Sequence, residues 1–215
     1  IGFGGKALAE DLGLLLGLIS EAFRQPVFPE VQVERLRAQI MTRLAMRAQD
    51  TGEMANLAFD SLVYANHPYQ RSEEGYPETI QAISRDDLVE FHRRYFGPTG
   101  MVIAVVGAVE PHKAVEMVAE MLGDCRTPEQ PGPPALPEVT RLTETRRKVV
   151  AIQGKYQADI VMGVAGPARL SPDYFAAVLG NSVLGQFGMM GRIGDVVREK
   201  AGLAYYAHSS LAGGL

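Results

Sequence analysis

Apolar positions recur at intervals of three and four residues along most of the first half of the chain. This period places the apolar side chains on one face of a helix, and it predicts helices over residues 6–24, 29–49, 53–64 and 84–96. Proline or glycine stands near the ends of several of these segments, where it begins or terminates a helix. A further helix is predicted over residues 111–122, because its proline occupies the first helical position.

Short apolar runs rich in β-branched residues predict strands instead. Residues 101–109 read M-V-I-A-V-V-G-A-V, a near-continuous apolar run that predicts a buried strand. Residues 148–153, 159–164 and 203–211 predict three more strands. Before the last of these, a serine and a proline open one more predicted helix over residues 171–184. The pattern therefore mixes helices with strands.

A cluster of prolines interrupts the regular pattern in the middle of the chain. The prolines are Pro128, Pro131, Pro133, Pro134 and Pro137. Because this density is incompatible with a helix or a central strand, we predict a semi-rigid linker over residues 124–140. The linker divides the chain into a first unit, residues 1–123, and a second unit, residues 141–215.

The composition of the chain argues against several classes of protein. Of the 215 residues 47% are apolar and 21% charged, and the formal net charge of −4 gives no reason to expect a nucleic-acid partner. No apolar run reaches the length of a membrane span. Cys125 is the single cysteine, which argues against a disulfide framework and fits a reducing cytoplasm. The compartment nevertheless stays open, because Ile1 opens the chain inside a helical pattern and we expect both ends to be cuts in a longer protein.

Four glycines at every third position precede a short helical pattern late in the chain. They are Gly185, Gly188, Gly191 and Gly194. The helical pattern covers residues 193–200 and stops at Gly202, where a left-handed residue commonly ends a helix. The turn is expected to bring Arg198, on the last helical turn, close to Tyr205. A guanidinium beside a phenol suits peptide carbonyls, or an oxygen that gains negative charge during a reaction.

This stretch resembles the second half of the insulinase/pitrilysin family of zinc metallopeptidases, the inverzincins. In that family a glycine-rich loop leads into an R-x-x-x-G-L-A-Y signature, and residues 198–205 read R-E-K-A-G-L-A-Y. Landmarks of a preceding family domain include F-P-E at residues 28–30 and H-P-Y at residues 67–69. The resemblance covers nearly the whole chain. It implies an α+β fold with helices on one face of a mixed sheet: the back of one peptidase-like domain, the linker and the front of a second.

The resemblance also implies roles for individual residues. Arg198 would hold a carbonyl of a peptide substrate, and Tyr205 would donate a hydrogen bond to the oxyanion that forms during cleavage. The glycine-rich loop would bind substrate through backbone exposed at Gly185, Gly188 and Gly191. The loop lacks the Lys-Ser or Lys-Thr that completes a phosphate-binding loop, so a nucleotide is disfavoured.

The chain departs from the family pattern at the residues that would bind the metal. The family binds zinc through a His-x-x-Glu-His helix and a downstream glutamate, and the chain contains no His-x-x-Glu-His. Aligned without gaps from residues 28–30, the glutamate position falls on Arg43, whose guanidinium has no lone pair for a cation. Glu34 and Glu53 are the nearest substitutes in this helical region, and neither lies where the pattern requires a ligand. The sequence therefore predicts no metal site and no cofactor in this chain, with zinc on a partner chain.

One main function and two alternatives follow from the resemblance. The chain would be a non-catalytic subunit that supplies Arg198 and Tyr205 to a zinc-bearing homologous subunit, or to a self-dimer, in the hydrolysis of a peptide. Alternatively, it would be an inactive assembly subunit of the same family, like the core subunits of respiratory complexes, although retention of both residues argues against this. A third reading is a complete zinc metalloendopeptidase whose His-x-x-Glu-His lies upstream of residue 1. The peptide and the partner stay open.

Overall fold

The computed structural model describes residues 2–212, and within that range every regular element is helical. The longer helices are α1 (Leu12–Arg24), α2 (Glu30–Arg47), α3 (Thr51–Val63), α4 (Pro77–Ala82), α5 (Arg85–Tyr95), α6 (Pro111–Leu122) and α7 (Tyr174–Asn181). A single turn, α8 (Arg192–Gly194), follows. None of the described helices combines the length and the apolarity needed to cross a lipid bilayer.

Shorter helical turns extend or connect these elements. Three are 3₁₀ turns, at Ala9–Asp11, Pro68–Gln70 and Gly188–Met190. Two are wider π-helical turns: Ser182–Gln186 continues α7, and Asp195–Lys200 continues α8. Residues 182–200 are therefore mostly helical and change from π to 3₁₀ to α and back to π, whereas residues 202–210, which include Tyr205, are not helical.

The predicted α+β fold is wrong, because the described residues contain no strand. The segments concerned are residues 101–109, 148–153, 159–164 and 203–211. Within the described range these segments do not exchange the regular backbone hydrogen bonds that define a sheet. Val102 and Val106 are 90% and 95% exposed, so the first segment is not buried either. An apolar, β-branched composition makes a segment suitable for a strand, but a strand also needs a partner in register, and no local pattern specifies one.

Helices α2, α3, α5 and α6 lie close to the positions that the sequence predicts, whereas α1 begins at Leu12, six residues later than predicted. Helix α5 follows Ser84, whose hydroxyl accepts a hydrogen bond from the amide of Asp87 at 3.1 Å. The carboxylate of Asp87 accepts in return from the amide of Ser84 at 2.8 Å and from its hydroxyl at 2.7 Å. These bonds from Ser84 hold the pKa of Asp87 below its usual value. The sequence pattern missed α4, since a helix of six residues is too short to show a period.

Polar contacts fasten α1 to the end of α6. The hydroxyl of Ser20 donates to the carbonyl of Met121 at 2.9 Å, and the Nε of Arg24 donates to that hydroxyl at 3.1 Å. The other end of the Arg24 guanidinium binds the same carbonyl at 2.6 Å and pairs with Asp124. Hydrogen bonding to Arg24 lowers the pKa of Asp124. These two helices are thereby fixed side by side.

Helix α3 carries the contacts between the first unit and the residues after the prolines. The ammonium of Lys148 donates to the hydroxyl of Ser61 at 3.2 Å. The ring of Phe59 lies so close to Gly163 that a Cβ there would be 3.0 Å from the ring. The proline-rich segment itself is tied to the first unit near its start, where the hydroxyl of Thr127 donates to the carbonyl of Phe96 at 2.9 Å.

Helix α7 begins later than its sequence predicts. Ser171 was expected to cap it, but the helix begins at Tyr174, with Asp173 in the preceding position. The hydroxyl of Ser171 accepts from the amide of Asp173 at 3.3 Å, which is a local turn rather than a helix cap. Two serines with the same sequence signal thus have different structural roles.

We expect Ser84→Ala to lower the free energy of unfolding by about 1 kcal/mol, because it removes the cap of α5. Ser171→Ala is the matched control and should change it by less than about 0.5 kcal/mol, since its hydroxyl caps no helix end. Urea unfolding followed by circular dichroism measures both. Equal losses in the two variants would contradict the assignment of these caps.

Candidate functional site

A helix end and a sharp turn bring Arg198 and Tyr205 together. The π-helical turn Asp195–Lys200 carries Arg198, and Gly202 follows with a φ of 60°. That angle lies in the left-handed region, which glycine adopts without steric cost. The amide of Gly202 donates to the carbonyl of Arg198 at 3.0 Å, so the chain folds back over the last helical turn.

The two side chains are in direct contact. The guanidinium carbon of Arg198 lies 5.2 Å from the centre of the Tyr205 ring, within the range of a cation–π interaction. The Arg198 side chain is 30% exposed, whereas Tyr205 is 84% exposed. Among residues 2–212, the tyrosine hydroxyls that form hydrogen bonds are those of Tyr76, Tyr174 and Tyr206, and not that of Tyr205. A carboxylate oxygen of Glu199 lies 3.8 Å from the Nε of Arg198. We call these two residues the Arg–Tyr pair; it presents its donors to solvent.

The glycine-rich loop, residues 185–191, packs backbone against backbone. A Cβ on Gly191 would lie 2.5 Å from the Cα of Gly185, and a Cβ on Gly194 would lie 2.3 Å from the carbonyl oxygen of Gly188. No side chain fits at Gly191 or Gly194, and each of these contacts joins glycines six positions apart. The loop therefore rests directly on the helix that carries Arg198.

One hydrogen bond joins the glycine-rich loop to the segment that follows Tyr205. The amide of Ser209 donates to the carbonyl of Gly185 at 3.1 Å. The apolar side chains of the loop remain mostly in solvent; those of Phe187, Met189 and Met190 are 60%, 55% and 86% exposed. Of the predicted site residues, Gly185 and Gly191 are buried and Gly188 is half-buried, whereas Tyr205 is exposed.

The neighbouring tyrosine has a different environment. The hydroxyl of Tyr206 donates to Asp159 at 3.5 Å, and the second oxygen of that carboxylate accepts from the hydroxyl of Thr51. The ring of Tyr206 lies 6.1 Å from the ring of His208. Two adjacent residues of the same type can therefore be compared by mutation, because only one of them contacts Arg198.

The position at which the family resemblance places a zinc ligand is occupied by an ion pair. The Nε of Arg43 lies 2.8 Å from one oxygen of Glu74, and the Nη1 of Arg47 lies 3.4 Å from the other. Arg47 is mostly buried and also donates to the hydroxyl of Ser72 at 2.7 Å and to the carbonyl of Gly75 at 2.9 Å. A zinc ion does not fit here, since the two guanidinium groups repel a cation and already occupy the carboxylate.

The two alternative carboxylates, those of Glu34 and Glu53, do not form a metal site either. Glu34 accepts three hydrogen bonds from Arg37, and this bonding lowers the pKa of Glu34. Glu53 lies in the first turn of α3, where its amide donates to Asp50. In the described part of the chain no three His, Cys, Asp or Glu residues are grouped closely enough to hold a metal ion.

The sequence did not single out Glu74 or Asp159. Glu74 lies in a polar segment and Asp159 at the start of a predicted apolar strand, and both find partners far away along the chain. The arginines at positions 43 and 47 are four apart and share one face of α2, which was a signal that a carboxylate would lie opposite them. For Asp159 the sequence contains no comparable signal.

Comparisons with known proteins agree on one family. Residues 82–214 match the family described as "Peptidase M16 inactive domain". An uncharacterized zinc protease of Streptomyces coelicolor is 29% identical over 213 residues, which are 97% of this chain and 46% of that protein. The mitochondrial cytochrome b-c1 complex subunit 1 of Mus musculus is 26% identical over 188 residues, 85% of this chain and 38% of that protein.

A solved structure gives the same result for the fold. The crystal structure of a peptidase M16 inactive domain from Pseudomonas fluorescens superimposes with a TM-score of 0.77 at 24% identity, over 96% of this chain and 49% of that chain. The chain spans about half the length of the relatives that it matches. The family match covers more than half of the chain and includes the R-E-K-A-G-L-A-Y signature at residues 198–205. The resemblance to insulinase-type peptidases is therefore confirmed, and the chain belongs to the peptidase M16 family through its inactive domain.

Proposed function

We propose that this chain binds the peptide substrate for a zinc-bearing homologous subunit and supplies the Arg–Tyr pair to the hydrolysis of the peptide bond. The match to the inactive-domain family supports a chain of the non-catalytic type. The observation that carries the proposal is the contact between Arg198 and Tyr205, because it leaves both groups of donors available to a ligand. The metal would activate water on the partner chain, and this chain would bind and orient the peptide.

Each member of the pair has a separate task. The guanidinium of Arg198 carries several N–H donors in one plane, and stacking against a ring leaves the edges of that plane free. These edges suit a backbone carbonyl of an extended peptide. The phenol of Tyr205 is a single donor that can bond an oxyanion, whose charge develops only in the transition state. Stacking fixes the two groups relative to each other before substrate arrives.

The glycine-rich loop supports the same function. Its backbone approaches the helix of Arg198 without intervening side chains, and its exposed phenylalanine and methionines offer an adaptable apolar surface. A peptide with varied side chains could lie on such a surface while its backbone contacts the Arg–Tyr pair. The loop would then contribute to binding rather than to chemistry.

A second candidate is an assembly subunit that binds no peptide. It is supported by the likeness to subunit 1 of the mitochondrial cytochrome b-c1 complex, a protein named as part of a larger assembly. In that case the Arg–Tyr pair would stabilise the turn at Gly202 and have no substrate. The two candidates differ in the effect of mutations at the pair, which the kinetic experiment below measures.

We expect the purified chain to retain far less than one zinc ion per molecule after dialysis, because Arg43 and its pairing with Glu74 replace the ligand. Elemental analysis measures this directly. A stoichiometric zinc ion that is lost in Glu34→Gln or Glu53→Gln, but kept in the exposed control Glu78→Gln, would contradict the proposal. It would favour a complete peptidase with a displaced ligand.

Tyr205→Phe should reduce turnover about 10²–10³-fold in the presence of the zinc-bearing partner, with little change in the Michaelis constant. The substitution keeps the ring that stacks on Arg198 and removes only the hydroxyl that would bond the oxyanion. Arg198→Ala should raise the Michaelis constant as well, because a carbonyl contact exists already in the bound substrate. Steady-state cleavage of a fluorogenic peptide gives both constants.

Tyr206→Phe is the matched control for this experiment and should leave the kinetics nearly unchanged, since its hydroxyl faces Asp159. Circular dichroism checks that all variants fold. If Tyr206→Phe is the damaging change and Tyr205→Phe is silent, the assignment of the two tyrosines is reversed. If neither affects cleavage, the chain acts as an assembly subunit.

A further inference from the structure

The helical turn that carries Arg198 is wider than an α-helix. The amide of Ala201 donates to the carbonyl of Val196, five residues back, at 3.1 Å. Beyond the end of this π-helical turn, the amide of Leu203 donates to the carbonyl of Val197, six residues back, at 3.0 Å. π-helical turns are rare and often lie at functional sites. An interaction that favours the wider turn is therefore expected here.

An ion pair matches the wider register. The ammonium of Lys200 lies 2.6 Å from a carboxylate oxygen of Asp195, five residues earlier. In an α-helix, residues five apart point about 140° away from each other, and neighbours on one face are three or four apart. In a π-helical turn the backbone bonds themselves join residues five apart, so side chains at this spacing lie on one face. The ion pair is therefore specific for the π register.

Both ends of this helix are fixed by glycines. Gly194 lies against the carbonyl of Gly188 and the Cα of Met189, at distances that leave no room for a Cβ. Gly202 reverses the chain with its positive φ. Because the ends are held, a change of register between them must rotate the residues in the middle, and Arg198 is one of them.

We propose that the ion pair of Asp195 and Lys200 holds the π register and thereby positions Arg198 against the ring of Tyr205. Asp195 and Lys200 are then positioning residues, which act on substrate only through Arg198. The consequence for peptide binding rests on the proposed function, whereas the stacking of the pair does not. Exposed ion pairs contribute little to overall stability. A modest interaction is sufficient to favour the π register over the α register. In the two registers each amide bonds a different carbonyl, but the number of hydrogen bonds stays the same.

The nearest competing explanation is Glu199. Its carboxylate lies 3.8 Å from the Nε of Arg198 and could orient the guanidinium directly. That distance is too long for a hydrogen bond, and Glu199 favours neither helical register. The two explanations predict different responses to mutation, so one set of variants separates them.

The test uses nuclear magnetic resonance on the isotopically labelled chain. The variants are Lys200→Met, Asp195→Asn, and the exchange variant with Asp195→Lys and Lys200→Asp. The register is measured from the coupling across the hydrogen bond between the amide of Ala201 and its acceptor carbonyl, which is Val196 in the π register and Val197 in the α register. Stacking is measured as the ring-current shift of the Arg198 side chain, with Tyr205→Leu as the unshifted reference.

Both single variants should transfer the coupling to Val197 and lose the ring-current shift, and the exchange variant should restore both. Glu90→Gln is the matched control, since it breaks an ion pair at ordinary α-helical spacing with Arg93 on α5 and should change neither signal. Single variants that keep the π coupling, or an exchange variant that fails to restore it, would overturn the proposal. Loss of the ring-current shift in Glu199→Gln with the π coupling intact would assign the positioning to Glu199.

Peptide cleavage adds a functional measurement. With the zinc-bearing partner, Lys200→Met should raise the Michaelis constant in the same direction as Arg198→Ala, and the exchange variant should reverse the increase. If no cleavage occurs with any partner, the proposed function fails while the spectroscopic result still decides the role of the ion pair. If cleavage occurs and Lys200→Met leaves the Michaelis constant unchanged while stacking is lost, stacking does not position Arg198 for substrate.

Discussion

The contact between the guanidinium of Arg198 and the ring of Tyr205 is the interaction on which the whole account depends. It forms because Gly202 adopts a left-handed conformation and folds the chain back over the end of a helix. The glycine-rich loop supports that helix through close backbone contacts, and a hydrogen bond from Ser209 ties the loop to the segment after Tyr205. The turn at Gly202 and the backbone contacts of the loop thus hold the guanidinium of Arg198 beside the ring of Tyr205.

The same contact shows why part of the structure could be predicted from the sequence. Arg198 and Tyr205 are seven residues apart, and a glycine between them signals the turn, so their proximity follows from local rules. Helices α2, α5 and α6 likewise follow from local period and capping. The predicted strands failed because pairing depends on residues far away in the sequence. The partner of Asp159 is equally distant along the chain, whereas the π register involves residues only five apart; no sequence pattern pointed to either.

The metal position and the Arg–Tyr pair give consistent information about the type of chain. Where the resemblance calls for a glutamate ligand, Arg43 and Arg47 pair with Glu74. The candidate residues for holding peptide are both present, with Tyr205 exposed and Arg198 partly exposed. The match to the inactive domain of the M16 family agrees with this division. This agreement supports our proposal that this chain binds the peptide and that metal chemistry belongs to a partner, while the likeness to the mitochondrial relative supports the assembly role as the alternative.

The central claim is that the Arg–Tyr pair binds peptide backbone, and a titration of the labelled chain tests it most directly. A short unstructured peptide with both ends blocked is added, so that its backbone and not a terminal charge makes the contact. We expect amide shifts at residues 185–209 and at the Nε of Arg198, all of them lost in Arg198→Ala. Absent shifts, or the same shifts in Arg198→Ala, would contradict the account.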